Sequence, residues 1–323
     1  MLLPEDVRRL AAAVALAERA RPLARPNPGV GAIVVNRGKV IGRGWTQPGG
    51  RPHAEAMALS EAGELARGGT LYTTLEPCAH RSVRGPTCAD LIAEAGLARA
   101  VVGMTDPDPR TAGAGMARME AVGIDVSLTG WSAERLGLAG HDTFVRYARP
   151  HVTLKLALSL DGCIATAGGE SKWVTGDAAR AHVHRERARA DAILVGGETL
   201  RADSPRLDVR LPGLEARAPG RWVLTRGQAP AGWRALTSPA DIDAMEGTRY
   251  MFVEGGAGAA AAFLAADLVD RLLIYRAPIV LGGGRPGVND VGLVNLAEAH
   301  GRWRREDSRM LGHDTLEIFQ RTR

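Results

Sequence analysis

Four residues in the first third of the chain have types and a spacing that suit metal chemistry. His53 and Glu55 are two residues apart at the predicted start of a helix, and two of the three cysteines, Cys78 and Cys88, follow them. Zinc in proteins prefers thiolate and imidazole donors, and a catalytic zinc site keeps one position open for water. His53, Cys78 and Cys88 are therefore the predicted zinc ligands. Glu55 is the predicted catalytic acid/base, which moves a proton from activated water to a leaving amine.

Each of these residues also has a purely structural interpretation. A His-x-Glu pair is common on solvated helix faces, and Cys88 in CADLIAEAG fits a small buried side chain. Together they match the nucleobase-deaminase signature, His-x-Glu followed by Pro-Cys and a second cysteine. Nine residues separate Cys78 from Cys88, in place of the two in that signature. Because Cys78 follows a strand and a proline, we expect its sulfur near a helix N-terminus, which lowers a thiol pKa.

Length and composition limit the class of protein. A chain of 323 residues exceeds what one core usually organises, which predicts two domains. No segment approaches ~20 uninterrupted apolar residues, so no membrane span is expected. The start, MLLPEDVRRLAAAVALAERARP, predicts an amphipathic helix and not a signal peptide. Three cysteines cannot form a disulfide framework, which favours a reducing compartment, the cytoplasm.

The basic charge gives little information about partners. The net charge is +5, and only Lys39, Lys155 and Lys172 are lysines, so arginine supplies nearly all of the positive charge. The arginines are scattered, and aromatic residues on which bases could stack make up 4% of the chain. A nucleic-acid surface is therefore weakly supported, and small anionic ligands such as phosphates fit the same charge equally well.

The hydrophobic pattern alternates helices and strands in both halves, which is typical of layered α/β domains. A helix at 5–20 precedes a hairpin, VGAIVVNRGKVIGRGW, whose turn contains Gly38. A helix from His53 follows, and strands and helices then alternate through TLYTTLE, CADLIAEAG, RAVVGM, GAGMARMEAVG and DVSL. A proline in RYARPHVTLKLAL marks a new series of strands, which predicts domains at 1–147 and 148–323. The predicted elements of the second series are HVTLKLALS, GDAARAHVHRERARA, AILVG, RWVLT, RYMFVEGG, AAAAFLAADLV, RLLIYRAPIVLG and TLEIFQR.

Several motifs recur in a fixed order along the whole chain. The first half carries PNPGVGAIVV (26–35), HAE (53–55), LEPCAH (75–80) with the delayed Cys88, and DPDPRTAGAG (106–115). The second half carries LKLALSLDG (154–162), ESKWVTG (170–176), RADAILVGGETLRADSPRLDVR (189–210) and VEGG (253–256). On these motifs the sequence resembles the bifunctional deaminase/reductase family of riboflavin biosynthesis.

The resemblance implies a cytidine-deaminase-like three-layer α/β domain followed by a dihydrofolate-reductase-like α/β domain. It implies zinc for the first domain, NADPH for the second, and a phosphorylated pyrimidine as substrate. The first reaction hydrolyses the 2-amino group of a diamino-ribosylamino-pyrimidinone phosphate and releases ammonia, and the second reduces the ribosyl group to ribityl. The family also implies a homodimer, and we expect no nucleic-acid or membrane partner.

The motifs also assign individual residues by resemblance. His53, Cys78 and Cys88 resemble the family's zinc ligands, and Glu55 resembles its proton shuttle. The implied cofactor contacts are Ala157, Trp173, Thr199, Asp203 and the run Gly256, Ala257, Gly258, Ala259, Ala260, Ala261 and Ala262. The implied substrate contacts are Asn27, Ser171, Arg187, Leu207, Arg210 and Glu254, of which the two arginines suit a phosphate through bidentate hydrogen bonds.

Some of these residues have structural alternatives that the sequence leaves open. Asn27 is either a substrate contact or the start of an Asx turn. Asp106 and Asp108 either line the deaminase pocket or cap the helix that follows them. Without the resemblance, Arg187 would be one more arginine on a solvated helix.

The second half does not contain the dinucleotide motif of a Rossmann fold, a Gly-x-Gly-x-x-Gly between strand and helix. EGGAGAAAAF instead joins a strand to a helix through paired glycines, whose backbone N–H groups suit a pyrophosphate, although tight turns also use such pairs. Lys155 and Asp161 are further candidates, because charges within an apolar strand need a partner.

The sequence departs from the family pattern in a few places. The loop at 81–87 is one residue longer than usual and lacks paired prolines, which affects substrate fit more than metal binding. Cys163, Ser204 and Arg226 replace residue types that are usual in the second domain, which affects cofactor handling. The alternative function is deamination of another nucleobase or an RNA base, with the second domain as a non-catalytic binding module.

Overall fold

The computed structural model describes residues 3–21, 23–80 and 85–323. The chain forms two compact units, Met1–Ala148 and Arg149–Arg323. Residues 81–84, which belong to the unusual loop between the predicted zinc-binding cysteines, lie outside the described residues. None of the helices in the described ranges is long and apolar enough to cross a bilayer.

The first unit alternates helices and strands from its first element onward. Its α-helices are Pro4–Ala20 (α1), Ala54–Ala62 (α2), Cys88–Glu94 (α3), Ala114–Ala121 (α4) and Ala139–Tyr147 (α5). Its strands are Gly31–Asn36 (β1), Lys39–Trp45 (β2), Thr70–Thr73 (β3), Arg99–Val102 (β4) and Asp125–Leu128 (β5), and single 3₁₀ turns occupy Pro48–Gly50 and Gly63–Ala66.

These strands form one sheet in the order β2-β1-β3-β4-β5. β1 pairs antiparallel with β2 and β3, whereas β3, β4 and β5 run parallel. The predicted hairpin turn at Arg37 and Gly38 has φ angles of 47° and 74°. Both values are left-handed, as a two-residue type I′ turn requires. Because β3 and β4 are parallel neighbours, the loops that follow them leave the sheet at the same edge.

Helix α2 lies unusually close to the sheet because β2 presents glycines to it. A Cβ atom at Gly42 would lie 2.0 Å from the carbonyl oxygen of Ala58, and one at Gly44 would lie 1.9 Å from that of Ala54. Only glycine permits this approach. The backbone contact fixes the position of α2, and with it the position of the residues at its N-terminus.

Helix α1 covers the opposite face of the same sheet. A Cβ atom at Gly31 would lie 1.9 Å from the carbonyl oxygen of Ala13 in α1. The next residue, Ala32, is paired across the hairpin with Gly44, which faces α2. Since successive residues of a strand point to opposite faces, α1 and α2 sandwich the sheet as the outer layers of an α/β/α arrangement.

The second unit is built on a larger sheet. Its helices are Asp177–Arg187 (α6), Gly197–Asp203 (α7) and Ala257–Ala265 (α8), with 3₁₀ turns at Glu215–Arg217, Pro239–Ala244 and Leu296–Ala299. Its strands are His151–Leu158 (β6), Cys163–Ala165 (β7), Ala192–Gly196 (β8), Gly220–Leu224 (β9), Arg234–Leu236 (β10), Tyr250–Val253 (β11), Arg271–Arg276 (β12), Arg285–Pro286 (β13), Trp303–Leu311 (β14) and Asp314–Arg321 (β15).

The main sheet has the order β10-β9-β8-β11-β6-β12-β15-β14, and β7 pairs separately with β13. The first six strands of this order, β10 through β12, are parallel to one another. β15 pairs antiparallel with β12, and β14 pairs antiparallel with β15. A hydrophobic core lies on each face: Leu154 and Val253 belong to the core that contains α8 residues, and Ile193 and Phe252 to the core that contains α6 residues. Central strands buried on both faces explain their nearly continuous apolar sequences.

Some elements differ from the sequence-based expectation. The hydrophobic pattern did not predict α5, α7 or the edge strand β14, WRREDSRML. Most side chains of β14 are exposed, so this strand lacks the alternation of apolar and polar residues that marks a half-buried strand. Its pairing with β15 determines its conformation.

A buried ion pair lies where β6 and β12 of the second unit begin. Asp270 accepts hydrogen bonds from Arg149 Nη1 and Nη2 at 2.7 and 2.8 Å and from the backbone N–H of Val152 at 2.8 Å. Burial alone would raise the pKa of Asp270, but the hydrogen bonds from Arg149 and Val152 and the charges of Arg149 and His151 together outweigh it and lower the pKa to about 2. The carboxylate therefore stabilises the fold above its ordinary pKa of 3.8, and this stabilisation is lost as the pH falls toward 2.

We predict that Asp270→Asn destabilises the second unit, because it leaves the Arg149 guanidinium buried without its counter-charge. The expected loss in the free energy of unfolding is about 3 kcal/mol. Asp267→Asn is the matched control, since Asp267 pairs with Arg321 but its side chain is 50% exposed, and the expected loss is under ~1 kcal/mol. Urea unfolding of both full-length variants at neutral pH measures the difference. Equal losses would contradict the assignment.

Candidate functional site

The N-terminus of α2 presents His53 and Glu55 to the same region. His53 is the N-cap residue of α2 and is half-buried, and Glu55 lies in the first turn with 4% of its surface exposed. Thr73, the last residue of β3, contacts Glu55 Oε1 through its hydroxyl at 3.4 Å. The close packing of α2 on β2 therefore places a buried carboxyl group two residues along the chain from a more accessible imidazole.

The two cysteines reach this imidazole from the segment after β3. Cys78 follows β3 and Pro77, and Cys88 is the first residue of α3, whose N-cap Thr87 accepts a hydrogen bond from Asp90 N–H. The Cys88 N–H donates to Cys78 Sγ at 3.3 Å. Cys78 Sγ thus lies at a helix N-terminus, as the sequence predicted.

The three donor atoms fit a zinc ion. They lie within 4.8 Å of one another, with His53 Nδ1 3.3 Å from Cys88 Sγ and 3.6 Å from Cys78 Sγ. Tetrahedral bonds of about 2.0–2.3 Å would place neighbouring donors about 3.6 Å apart. One nitrogen and two sulfurs leave the fourth position for water, as in catalytic zinc sites. Cys163 lies in β7 of the second unit and is not part of this group.

The protonation of the group follows from its contacts and burial. The hydrogen bond between the Cys88 thiol and Cys78 Sγ lowers the pKa of Cys78 to about 4. That bond and burial raise the pKa of Cys88 above its ordinary range. The hydrogen bond with Cys78 raises the pKa of His53, and burial raises the pKa of Glu55. The lowered pKa of Cys78 favours its thiolate, the form that binds metal.

Asn27 lies beside the imidazole. Its Nδ2 donates to the carbonyl oxygen of Gly50 at 2.9 Å and lies 3.0 Å from His53 Nε2. The side-chain amide is directed at the site and not at its own backbone, which favours a functional role over the Asx turn.

Asp106 and Asp108 lie in the loop after β4, which leaves the sheet beside the segment that carries Cys78. Asp106 Oδ1 accepts hydrogen bonds from Asp108 N–H and lies 3.0 Å from His141 Nε2. Asp108 pairs with Arg110, whose hydrogen bond lowers the pKa of Asp108 to about 2. The capping interpretation is wrong for both aspartates, because the carboxylate that caps α4 belongs to Glu76.

Glu76 and His80 lie in the LEPCAH motif, but no role for either residue follows from the sequence. Glu76 accepts backbone N–H groups of residues 106–116, and His80 Nδ1 lies 3.2 Å from Thr111 Oγ1. The only local feature that could have identified Glu76 is its position between a strand and the Pro-Cys pair. Its partners lie 30 to 40 residues away, which no local pattern reports.

In the second unit, Arg187 and Glu254 form a buried ion pair at the carboxyl end of the parallel strands. Arg187 Nε and Nη2 donate to the two carboxylate oxygens at 2.5 and 3.0 Å, and Nη1 donates to the carbonyl oxygen of Asp208. Burial alone would raise the pKa of Glu254, but the charge and hydrogen bonds of Arg187, with the nearby charges of Lys155 and His184, together outweigh it and lower the pKa. Arg187 is 9% exposed, so the interpretation as a solvated helix arginine is wrong.

Lys155 is close enough to this pair to be influenced by it. β11 and β6 are parallel with Val253 opposite Leu154, so Glu254 follows beside Lys155. Burial lowers the pKa of Lys155, while the charge of Glu254 partly restores it. Ala157, a predicted cofactor contact, is two residues further along β6 and shares the face of Lys155.

The other predicted cofactor contacts belong to the segments that follow β7, β8 and β11. Trp173, in the segment after β7, is 62% exposed. Thr199 Oγ1, in α7, accepts the N–H of Gly256, the N-cap residue of α8, at 3.1 Å. Asp203, the last residue of α7, pairs with Lys172 at 3.7 Å. Residues 259–261 are buried with no more than 5% exposed, so the accessible part of the predicted run is the start of α8.

The remaining predicted substrate contacts differ in their surroundings. Ser171 is half-buried between β7 and α6, and Arg210 is exposed and pairs with Asp208 at 3.2 Å. Leu207 is 4% exposed and packs in the core on the α6 face. Asp161, an additional candidate, accepts the N–H groups of Leu281 and Gly282 and is exposed in the turn after β6.

Two family models match the chain and divide it as the fold does. The model of the cytidine and deoxycytidylate deaminase zinc-binding region matches residues 4–104. The model of the RibD C-terminal domain matches residues 150–238 and 240–316. These matches confirm the predicted fold class, a deaminase domain followed by a reductase domain.

Relatives and solved structures match nearly the full length. Riboflavin biosynthesis protein RibD of Escherichia coli (strain K12) is 37% identical over 91% of this chain and 94% of its own length. The protein of the same name from Aquifex aeolicus (strain VF5) is 34% identical over 96% of each chain.

Among solved structures, Acinetobacter baumannii RibD in form 1 has a TM-score of 0.85, with 32% identity and 99% coverage of both chains. A deaminase/reductase from Thermotoga maritima has a TM-score of 0.86 with 29% identity, and covers 98% of this chain and 99% of its own. The chain therefore belongs to the RibD family, the bifunctional deaminase/reductase enzymes of riboflavin biosynthesis.

Proposed function

We propose that the two units act consecutively on one phosphorylated pyrimidine. The first deaminates a diamino-ribosylamino-pyrimidinone phosphate by hydrolysis, and the second reduces the ribosyl group of the product to ribityl with NADPH. The observation that carries the proposal is the convergence of His53, Cys78 and Cys88 beside the buried Glu55. The Thermotoga maritima structure is named a diaminohydroxyphosphoribosylaminopyrimidine deaminase/5-amino-6-(5-phosphoribosylamino)uracil reductase, which supports both reactions.

In the deaminase unit, each residue has one role in this proposal. His53, Cys78 and Cys88 would hold zinc, which would supply Lewis-acid activation of a water molecule. The Glu55 carboxylate accepts a proton from that water as it attacks the carbon that bears the amino group. The same carboxyl group then returns the proton to the amino nitrogen, which leaves as ammonia. Asn27, beside His53 Nε2, contacts the pyrimidine.

In the reductase unit, NADPH would supply a hydride to the anomeric carbon of the opened sugar, and the attached nitrogen would take up a proton. We assign that proton to Lys155, because it is titratable, shares a strand face with Ala157, and lies beside Glu254. The Arg187–Glu254 pair holds Glu254 in position. Because Arg187 is engaged by Glu254, the exposed Arg210 is the arginine we assign to the substrate phosphate.

We assign the pyrophosphate of NADPH to the N-terminus of α8. The N–H of Gly256 already donates to Thr199, so the N–H groups of Ala257 and Gly258 are the proposed donors. A helix N-terminus favours anions through its unpaired N–H groups and its dipole.

We also propose a cytoplasmic homodimer without a nucleic-acid partner. Buried free thiols at Cys78, Cys88 and Cys163 suit a reducing compartment. Much of the arginine content has partners within the fold: an arginine lies over the ring of each of the six tryptophans, at 3.5–5.9 Å from the ring centre. Sedimentation of the purified chain, alone and with RNA, tests both statements.

The decisive experiment is to supply the diaminopyrimidine phosphate with NADPH and to follow ammonia release and NADPH oxidation separately. Release of ammonia before NADPH oxidation is the expected order. Deamination of a free nucleobase or an RNA base, with no oxidation of NADPH, would support the alternative function.

We predict that Glu55→Gln lowers the deamination rate about 10²-fold or more, because it removes the proton shuttle and keeps the side-chain volume. Zinc content and reduction of pre-deaminated substrate should be unchanged. The matched control is Glu61→Gln, an exposed glutamate of the same helix, which should deaminate normally. Near-normal deamination by Glu55→Gln would rule out the role assigned to Glu55.

We predict that Cys88→Ser loses zinc and deaminase activity, whereas Cys163→Ser retains both. Both cysteines are buried, but only Cys88 belongs to the convergent group. Zinc content by atomic absorption, measured on the purified variants, separates the two. If Cys163→Ser lost the metal and Cys88→Ser kept it, the ligand set would be wrong.

We predict that Gly258→Val weakens NADPH binding and leaves deamination unchanged. Gly258 is exposed in the first turn of α8, and a Cβ atom there would lie no closer than 3.8 Å to its neighbour, Asn289 Nδ2, so the fold should tolerate the change. Ala265→Val, at an exposed position in the last turn of α8, is the control. Titration of NADPH fluorescence measures both affinities, and equal affinities would place the cofactor elsewhere.

A further inference from the structure

Glu76 has an unusual environment for an acidic side chain. It lies between β3 and the predicted ligand Cys78, and 2% of its surface is exposed. Its carboxylate accepts four backbone N–H groups, those of Asp106 and Gly113 at Oε2 and those of Gly115 and Met116 at Oε1, at 2.9–3.2 Å. Backbone dipoles therefore satisfy this buried carboxyl group.

Three of these donors belong to the start of α4. Gly113 is its N-cap residue, and Gly115 and Met116 are the second and third residues of the helix. N–H groups at these positions lack acceptors within their own helix. Gly113 has no side chain to supply one, and the nearby carboxylates of Asp106 and Asp108 have other partners. Glu76 thus acts as a cap supplied from a distant part of the chain.

The same two segments are joined at further points. A Cβ atom at Gly115 would lie 2.0 Å from the carbonyl oxygen of Pro77, so the backbone before Cys78 lies directly on the start of α4. Beyond Cys78, His80 Nδ1 lies 3.2 Å from the buried Thr111 hydroxyl. The segment 76–80 is therefore attached to the loop 105–113 on both sides of the cysteine.

We propose that Glu76 is a positioning residue of the deaminase site, which holds the loop 105–113 against the segment that carries Cys78. The loop follows β4 as the Cys78 segment follows its parallel neighbour β3, so the two segments leave the sheet at the same edge. Glu76 acts through this loop on the binding of the pyrimidine phosphate. The expected effect on substrate binding rests on the proposed deaminase function. The attachment of the loop 105–113 rests on the hydrogen bonds alone.

Glu76 affects substrate binding more than the chemical step. The zinc-binding side chains and Glu55 are positioned by α2, by the Cys88-to-Cys78 hydrogen bond and by the start of α3. Glu76 accepts hydrogen bonds from four backbone N–H groups, and none of these groups belongs to α2 or α3. Loss of the carboxylate should therefore raise KM while the metal and most of kcat are retained.

The test compares Glu76→Gln with Glu120→Gln in the full-length, zinc-loaded enzyme. Gln has a single acceptor oxygen, and its amide N–H₂ would face two backbone N–H donors, so the loop loses half of its acceptors. KM for the diaminopyrimidine phosphate should rise at least about tenfold, because small displacements of positioning groups have large effects. Zinc content and reductase activity should remain at the wild-type level. Glu120 is exposed on α4, and its variant should match the wild type throughout.

Amide hydrogen exchange supplies a readout that does not depend on activity. The amides of Asp106, Gly113, Gly115 and Met116 should exchange faster in Glu76→Gln and at the wild-type rate in Glu120→Gln. Glu76→Asp keeps the charge with a shorter reach and should restore KM and exchange protection partly. If the wild type released no ammonia from this substrate, the proposed function would be wrong. The amide exchange rates of Glu76→Gln would still decide whether Glu76 holds the loop.

Gly115→Ala is a second variant, which displaces the carboxylate without removing it. Its methyl group would collide with the Pro77 carbonyl and lie 3.2 Å from Glu76 Oε1, so the same rise in KM is expected. A wild-type KM and unchanged exchange in Glu76→Gln would overturn the proposal. Loss of zinc from Glu76→Gln would also overturn it, because Glu76 would then position the metal ligands and not the loop.

Discussion

The close approach of α2 to β2 is the constraint on which the deaminase unit depends. Gly42 and Gly44 allow the carbonyl oxygens of Ala58 and Ala54 to rest on the strand backbone, where any side chain would collide. The helix cannot move away without opening a gap in a core of small residues, and it cannot rotate without a clash. His53 and Glu55 occupy its first turn, so backbone packing sets the position of the imidazole and the carboxyl group.

Once α2 is fixed, the other site residues come from the ends of parallel strands. β3 and β4 run side by side, and the segments that follow them carry Cys78 and Asp106. The fold joins these segments through backbone N–H groups and buried carboxylates. In the second unit the parallel strands again bring distant residues together: Lys155 on β6 and Glu254 after β11 come from opposite ends of a segment of about a hundred residues.

Buried charges are compensated differently in the two units. In the reductase unit, arginines compensate the buried carboxylates: Arg187 pairs with Glu254, and Arg149 and Arg323 pair with Asp270. In the deaminase unit, Glu76 has four backbone N–H groups as its hydrogen-bond donors. A carboxylate held by backbone groups fixes a loop in place, whereas an ion pair fixes two side chains. This difference matches the role of each: Glu76 shapes a loop, and Glu254 presents its own side chain.

The sequence by itself determined the two-part α/β fold and the family, and it predicted His53, Cys78 and Cys88 as a zinc-ligand set whose donor atoms the structure brings together. It could do so because hydrophobic periodicity and motif spacing are local properties, and because few donor sets combine one histidine with two cysteines. It also predicted the hairpin turn at Gly38, whose backbone conformation local residue types dictate.

Only the tertiary structure decided how the remaining polar residues are used. Arg187 is an ion-pair partner and not a solvated helix arginine, and the cap of α4 is Glu76 and not Asp106 or Asp108. The strand β14 forms because β15 offers a hydrogen-bonding edge, although its own sequence has no strand pattern. In each case the deciding partner is distant in sequence, and only the assembled sheets bring it within hydrogen-bonding or packing distance.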